Sequence, residues 1–121
     1  MSRRSLDTAL LAVPEVSVTY QVSLEPDVIT AVRDSFDRSG LTWPEWTEEA
    51  LARLLRESHE ELQNLLSNYK PTSRAGKKIL PFRVYPATLK RIRTLATSYE
   101  STAQAVLTHA FFMHSLAADY S

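Results

Sequence analysis

The sequence contains no cysteine and only two glycines, Gly40 and Gly76. The missing cysteines exclude a disulfide framework, a cysteine zinc finger and a thiol nucleophile. Two glycines are too few for a Gly-rich phosphate loop or for an all-β fold with many tight turns. The uncharged runs are too short to span a bilayer, and the apolar stretch at residues 10–13 lacks the features of a signal peptide. We therefore expect a soluble cytoplasmic protein without a membrane segment.

The whole chain carries no net charge, but each of its halves does. Residues 1–66 hold six basic and twelve acidic residues, a net charge of −6, whereas residues 67–121 hold eight basic and two acidic residues, a net charge of +6. A charge step of this size suggests a face for an anionic partner such as nucleic acid. Two surfaces of opposite charge that pack against each other would explain it equally well.

Patterns for catalysis or metal binding are weak. His109 and His114 are five residues apart, not the four that would place two metal ligands on one helix face, and His59 is remote in sequence. The glutamate pairs at 48–49 and 60–61 lie on a leucine-rich helix, where solvated carboxylates greatly outnumber catalytic ones. We therefore expect no enzyme activity, no bound metal and no cofactor.

The first half of the chain has a clear order of secondary structure. Apolar and polar residues alternate over residues 16–24, which is the pattern of a half-buried strand. A proline and an acidic residue then begin a helix that Gly40 ends. Thr42 and Glu45 match a capping box for a second helix, which we predict to continue to Leu66.

The second half repeats this plan at an offset of sixty residues. Each unit is a strand, a helix, a turn and a helix, and one such unit cannot be stable alone because its strand has no partner. We therefore predict a mainly α fold with a two-stranded antiparallel β-ribbon, in which two tandem units form an intramolecular pseudo-dimer. The predicted segments are an N-terminal arm at 1–15, a first unit at 16–66, a linker at 67–77 and a second unit at 78–121.

Two stretches resemble the ribbon-helix-helix superfamily of DNA-binding proteins, which includes the Arc and MetJ repressors: residues 21–29 (QVSLEPDVI) and 81–89 (PFRVYPATL). The first unit also matches the family at Gly40 and Thr42. The second departs from it with Glu100 at the turn and Pro81 in the strand. Two units on one chain are similar to the TraY-type accessory proteins of conjugative plasmids.

The resemblance implies that the ribbon enters the DNA major groove and reads bases with the outward-facing side chains of both strands. A glutamine suits adenine and an arginine suits guanine, whereas apolar side chains can meet only a thymine methyl group or line the groove. An ordinary solvated strand face is the alternative. Pro81 requires that its nitrogen points away from the partner strand. The candidate base-contacting residues are Thr19, Gln21, Ser23, Ile79, Pro81 and Arg83.

Phosphate groups would lie at the amino ends of the second helix of each unit and beside the basic residues that precede the second strand. The alternatives are cap residues that serve only their helices and a linker whose charges are simply solvated. The candidate phosphate-binding residues are Thr42, Trp43, Arg74, Lys77, Lys78, Ser101 and Thr102.

The expected function is sequence-specific binding of double-stranded DNA, either as a transcriptional repressor or autoregulator or as an accessory factor in plasmid or mobile-element DNA processing. The expected partners are DNA, further copies of the protein on DNA, and a relaxase or recombinase. An alternative is a protein-interaction module such as an antitoxin, which would hold a toxin with the acidic, leucine-rich helix between Leu51 and Leu66.

Overall fold

The computed structural model describes residues 16–67 and 76–117. Its elements are β1 (Val18–Leu24), α1 (Pro26–Ser39), α2 (Trp43–Leu54), α3 (His59–Ser67), β2 (Lys78–Val84), α4 (Pro86–Ser98) and α5 (Ala103–Ser115). The prediction of a mainly helical fold with one two-stranded antiparallel sheet is confirmed. None of the described helices combines the length and the apolar character that crossing a bilayer requires. The N-terminal arm and Arg74 lie outside the described residues.

The two strands pair so that Val18 lies opposite Val84 and Leu24 lies opposite Lys78. The central pair is Gln21 and Pro81. Period-two alternation gives the ribbon one apolar and one polar face, as the sequence pattern predicts. The buried residues of the apolar face are Val22, Leu24, Leu80, Phe82 and Val84.

Pro81 meets the condition that its presence in a strand imposes. The Ser23 N–H donates to Gln104 Oε1 at 3.1 Å, and the Ser23 carbonyl accepts from Gln104 Nε2 at 2.7 Å, so both groups point away from β2. Alternate residues of a strand point their backbone groups to the same side of the strand. In a non-hydrogen-bonded pair of an antiparallel ladder, both residues point these groups away from the partner strand. Gln21 and its partner Pro81 therefore also direct their backbone groups outward, and the missing proline N–H removes no ladder bond.

The helices bury the apolar face of the ribbon. α2 packs on β2 and α5 packs on β1, so each of these helices covers the strand of the other half of the chain. α2 and α5 also pack against each other, while α1 and α4 both contact α5. Trp46 and Phe111 lie at the centre of this core, fully buried, with ring centroids 5.0 Å apart.

The prediction of one long second helix that continues to Leu66 is wrong. α2 ends at Leu54, and α3 begins at His59, where the Ser58 hydroxyl accepts from the Glu61 N–H at 3.1 Å. A straight helix would carry Leu66 about 18 Å beyond Leu54, past the end of the core. After the break, α3 packs on α5 and Leu66 is buried.

Glu100 has a backbone conformation that normally requires glycine. Its φ is +52°, whereas Gly40, sixty residues earlier, has φ of +71° at the equivalent turn. A side chain in the left-handed region costs about 1 kcal/mol relative to glycine.

We expect Glu100→Gly to raise the free energy of unfolding by about 0.5–1 kcal/mol in urea denaturation. Gly40→Ala should lower it by about 1 kcal/mol through strain alone, since nothing lies within 4 Å of the added Cβ.

Candidate nucleic-acid interface

The outer face of the ribbon brings all six candidate base-contacting residues together as three opposed pairs. Thr19 lies opposite Arg83, Gln21 opposite Pro81, and Ser23 opposite Ile79. Ser23 is half-buried and the other five are exposed, including Ile79, of which 59% is accessible. The face therefore offers amide, hydroxyl and guanidinium groups beside two apolar side chains.

Arg83 crosses the ribbon and bonds the opposite strand. Its Nε donates to Ser17 Oγ at 3.0 Å, and its Nη1 donates to Thr19 Oγ1 at 2.8 Å. Its Nη2 donates to the Ser17 carbonyl. These bonds use three of the five guanidinium N–H groups and leave one on each terminal nitrogen. The side chain is thus held over the outer face while it keeps two donors available.

The amino end of α2 carries its own carboxylate. The Thr42 hydroxyl accepts from the Glu45 N–H at 3.4 Å, and Glu45 Oε1 accepts from both the Thr42 N–H and the Thr42 hydroxyl at 3.0 Å. The predicted capping box is confirmed. The bond from the Thr42 backbone lowers the pKa of the Glu45 carboxyl below its ordinary value, so this group is ionised at neutral pH. An anion approaching this helix end meets a negative charge.

The amino end of α5 has no such carboxylate. Thr102 Oγ1 accepts from the Ala105 N–H at 3.1 Å, and no acidic residue lies in the first turn of the helix. Ser101 precedes this cap with its own N–H donated to the Ala96 carbonyl at 2.7 Å. The two helix ends that the sequence predicts as phosphate sites therefore differ in charge.

The other candidate phosphate contacts lie in unlike surroundings. Trp43 is half-buried and stacks on Phe36 with 3.9 Å between ring centroids, so its ring faces its own unit. Lys78 is exposed opposite Leu24 at one end of the ribbon, and the half-buried Lys77 precedes it. Positive charge at the ribbon is thus concentrated on β2 and the residues before it.

Two residues that hold this face together were not predicted. The alternating pattern places Ser17 on the polar side of the strand, but it does not indicate that Ser17 accepts from Arg83. Gln104 bonds both backbone groups of Ser23 and also donates to Thr108 Oγ1 at 3.0 Å. Gln104 lies 81 residues from Ser23, and no sequence pattern relates the two.

His109 gives stability a specific pH dependence. Burial lowers the pKa of its imidazole, and a hydrogen bond to the Leu65 backbone opposes this effect. The unfolded chain thus binds a proton at a higher pH than the folded chain, and the stability associated with neutral His109 is lost as pH falls below about 6.5. We expect the free energy of unfolding of the wild type to fall relative to that of His109→Gln between about pH 7.5 and 5.5.

Similarity to known proteins gives no indication of the function. The chain matches no family model, no curated protein and no solved structure. Within the two described ranges, no group of three His, Asp or Glu side chains is placed to hold a metal ion.

Proposed function

We propose that the protein binds double-stranded DNA by inserting its β-ribbon into the major groove. The observation that supports this best is the outer face, where six exposed or half-exposed side chains form three opposed pairs on the side of the ribbon away from the core. A major groove about 12 Å wide admits a two-stranded ribbon. Nothing in the core requires glutamine or arginine at Gln21 and Arg83, since both side chains point away from it.

The two halves of the chain are proposed to be copies related by a pseudo-twofold axis through the ribbon. In support, the central pair, Gln21 and Pro81, consists of residues sixty positions apart. The same offset relates Thr42 to Thr102, which both cap a helix, and Gly40 to Glu100, which both have positive φ. A ribbon with this symmetry presents a nearly equivalent edge to each side of the groove.

The chemical differences between the copies would orient the protein on DNA. Glu45 repels phosphate at the amino end of α2, whereas the amino end of α5 has Ala105 at the corresponding position. Lys77 and Lys78 add positive charge at one end of the ribbon. We therefore propose that α5 and β2 supply most backbone contacts and that the protein prefers an asymmetric site.

The proposal is tested by selecting a duplex from a random pool and measuring its affinity by fluorescence anisotropy at several salt concentrations. We expect log Kd to rise linearly with log salt, because binding releases counterions from phosphates. Arg83→Ala should weaken binding to the selected duplex about 10- to 100-fold, and should weaken binding to random duplex much less. Lys78→Ala should weaken both about equally and reduce the salt slope by about one.

Arg56→Ala provides the matched control, because this exposed arginine follows α2 and lies outside the ribbon. Apart from the long-range effect of removing one positive charge, this variant should change the affinity for DNA by less than about twofold. Absence of binding to any duplex at low salt would reject the proposed function, whatever the variants do.

The cellular role is proposed to be transcriptional repression or plasmid DNA processing. A footprint that overlaps a promoter would support repression, while a footprint beside a transfer origin would support an accessory role with a relaxase or recombinase. Several evenly spaced footprints would support binding of further copies side by side.

The antitoxin-like alternative has less support from the packing. Four of the six leucines proposed to hold a partner already belong to the chain's own core, namely Leu51, Leu54, Leu62 and Leu66, whereas Leu55 is exposed and Leu65 is half-buried. A partner could use that face only if α3 left α5. Without that movement, the exposed surface available to such a partner includes Leu55 and the acidic residues Glu60 and Glu61.

A further inference from the structure

A half-enclosed apolar pocket lies where β1 meets α1, beside α3 and α5. Its volume is about 380 Å³, which lies within the range of small-molecule sites, about 300–1,000 Å³. It shares two lining residues with the candidate DNA-contacting set, Ser23 and Lys77, and otherwise lies apart from it. Its apolar lining is formed by Leu24, Val28, Leu65, Phe112 and Met113.

Two oppositely charged side chains line this pocket. Glu25 and Lys77 both line it, and they occupy the next opposed positions beyond the last ladder pair, Leu24 and Lys78. Glu25 occupies the cap position of α1, but its side chain makes no capping hydrogen bond. Within the described residues, no ion pair within 4.0 Å joins the two side chains. A carboxylate and an ammonium group that are not paired with each other thus border the apolar space.

The corresponding place in the other half of the chain is chemically different. Sixty residues from Val28 and Thr108 lie Thr88 and Glu48, and there the Thr88 hydroxyl donates to Glu48 Oε2 at 3.4 Å. Thr88 is buried. Polar side chains that bond each other therefore occupy this position in one half, whereas Val28 makes it apolar in the other.

We propose that this pocket binds a free α-amino acid with a large apolar side chain. The ligand carboxylate would pair with Lys77, its ammonium group with Glu25, and its side chain would fill the space between Val28 and Phe112. Charge-assisted bonds of this kind orient a ligand whose affinity derives mainly from burial of its apolar part. This proposal does not depend on DNA binding.

The test uses the full chain and isothermal titration calorimetry with L-phenylalanine and two analogues. 3-Phenylpropanoate lacks the ammonium group, and phenethylamine lacks the carboxylate. We expect L-phenylalanine to bind with a one-to-one stoichiometry and a Kd on the order of 1 mM or below, and both analogues to bind about 5- to 10-fold more weakly.

Variants assign each charge. Lys77→Gln should weaken L-phenylalanine about 5- to 10-fold and leave phenethylamine unchanged, while Glu25→Gln should weaken L-phenylalanine similarly and leave 3-phenylpropanoate unchanged. The matched controls Lys78→Gln and Asp27→Asn remove neighbouring charges that do not line the pocket, and should change the Kd by less than about twofold. Val28→Phe, which fills the space, should abolish binding while the circular dichroism spectrum stays that of the wild type.

Three outcomes would overturn the proposal. One is the absence of heat with L-phenylalanine at concentrations well above 1 mM. Another is equal affinity for L-phenylalanine and one of its analogues, which would indicate a simple anion or cation site. The third is unchanged binding in a correctly folded Val28→Phe variant, which would place the ligand elsewhere.

Discussion

Replacement of Trp46 by alanine is expected to lower the free energy of unfolding by about 3–5 kcal/mol. The indole is fully buried and contacts two rings of α5, with centroids 5.0 Å from Phe111 and 4.9 Å from His114. Its N–H donates to Ser35 Oγ at 3.2 Å, which satisfies the one polar group of the side chain. Alanine would leave a cavity where α1, α2 and α5 meet, and urea denaturation followed by circular dichroism would measure the loss.

The neighbouring tryptophan is the control. Trp43 is half-buried, stacks on one face of Phe36 and meets the Trp46 ring edge-on with centroids 5.7 Å apart, so Trp43→Ala should cost about 1–2 kcal/mol. Ser35→Ala leaves the Trp46 N–H buried without its acceptor and should cost about 1–3 kcal/mol. Equal losses for Trp43→Ala and Trp46→Ala would contradict the central position that we assign to Trp46.

Local patterns were enough to predict the ribbon and most helix ends. Strict alternation identifies β1, and Thr42 with Glu45 identifies the start of α2, because both signals depend on neighbours along the chain. The antiparallel pairing followed from the repeat, since a single strand needs a partner. These features agree with the structure because local preference and tertiary packing favour the same conformation there.

The break between α2 and α3 shows where a local pattern misled. Leucines at helical spacing on both sides of the break predict one helix, yet Ser58 and Glu61 also match a helix start. Periodicity alone cannot decide between these signals, because a bent and a straight helix can present the same apolar stripe. The broken form is favoured because the segment after the break, α3, packs against α5.

The side-chain contacts on the outer face could not be predicted from the sequence. Alternation predicts which residues point outward, but not that Arg83 bonds Ser17 and Thr19. Those two bonds depend on the register of the strands, which brings Arg83 into contact with residues that lie 66 and 64 positions earlier in the chain. The Gln104 amide and the apolar pocket depend on tertiary contacts in the same way and have no local signal.

Cutting the chain between Ser67 and Gly76 is expected to abolish folding of both halves when they are separated. In the described residues β1 pairs only with β2, and α2 has its most extensive helix packing against α5. Each fragment would expose an apolar strand face and a helix face with nothing to cover them. Fragments 1–70 and 71–121 should each give a circular dichroism spectrum close to that of the urea-denatured chain. An equimolar mixture should recover the helical spectrum of the intact protein.

The mixture also tests whether the two proposed copies are complementary or interchangeable. The fragments carry net charges of −5 and +5, since residues 1–70 hold seven basic and twelve acidic residues and residues 71–121 hold seven basic and two acidic ones. Like charges disfavour self-association, whereas opposite charges accelerate the mixed association at low salt. The mixed complex alone contains the bond from Arg53 Nε to His114 Nδ1 at 2.9 Å, with the ring buried against Trp46. A folded homodimer of either fragment, as stable as the mixture, would contradict this requirement for two unlike halves.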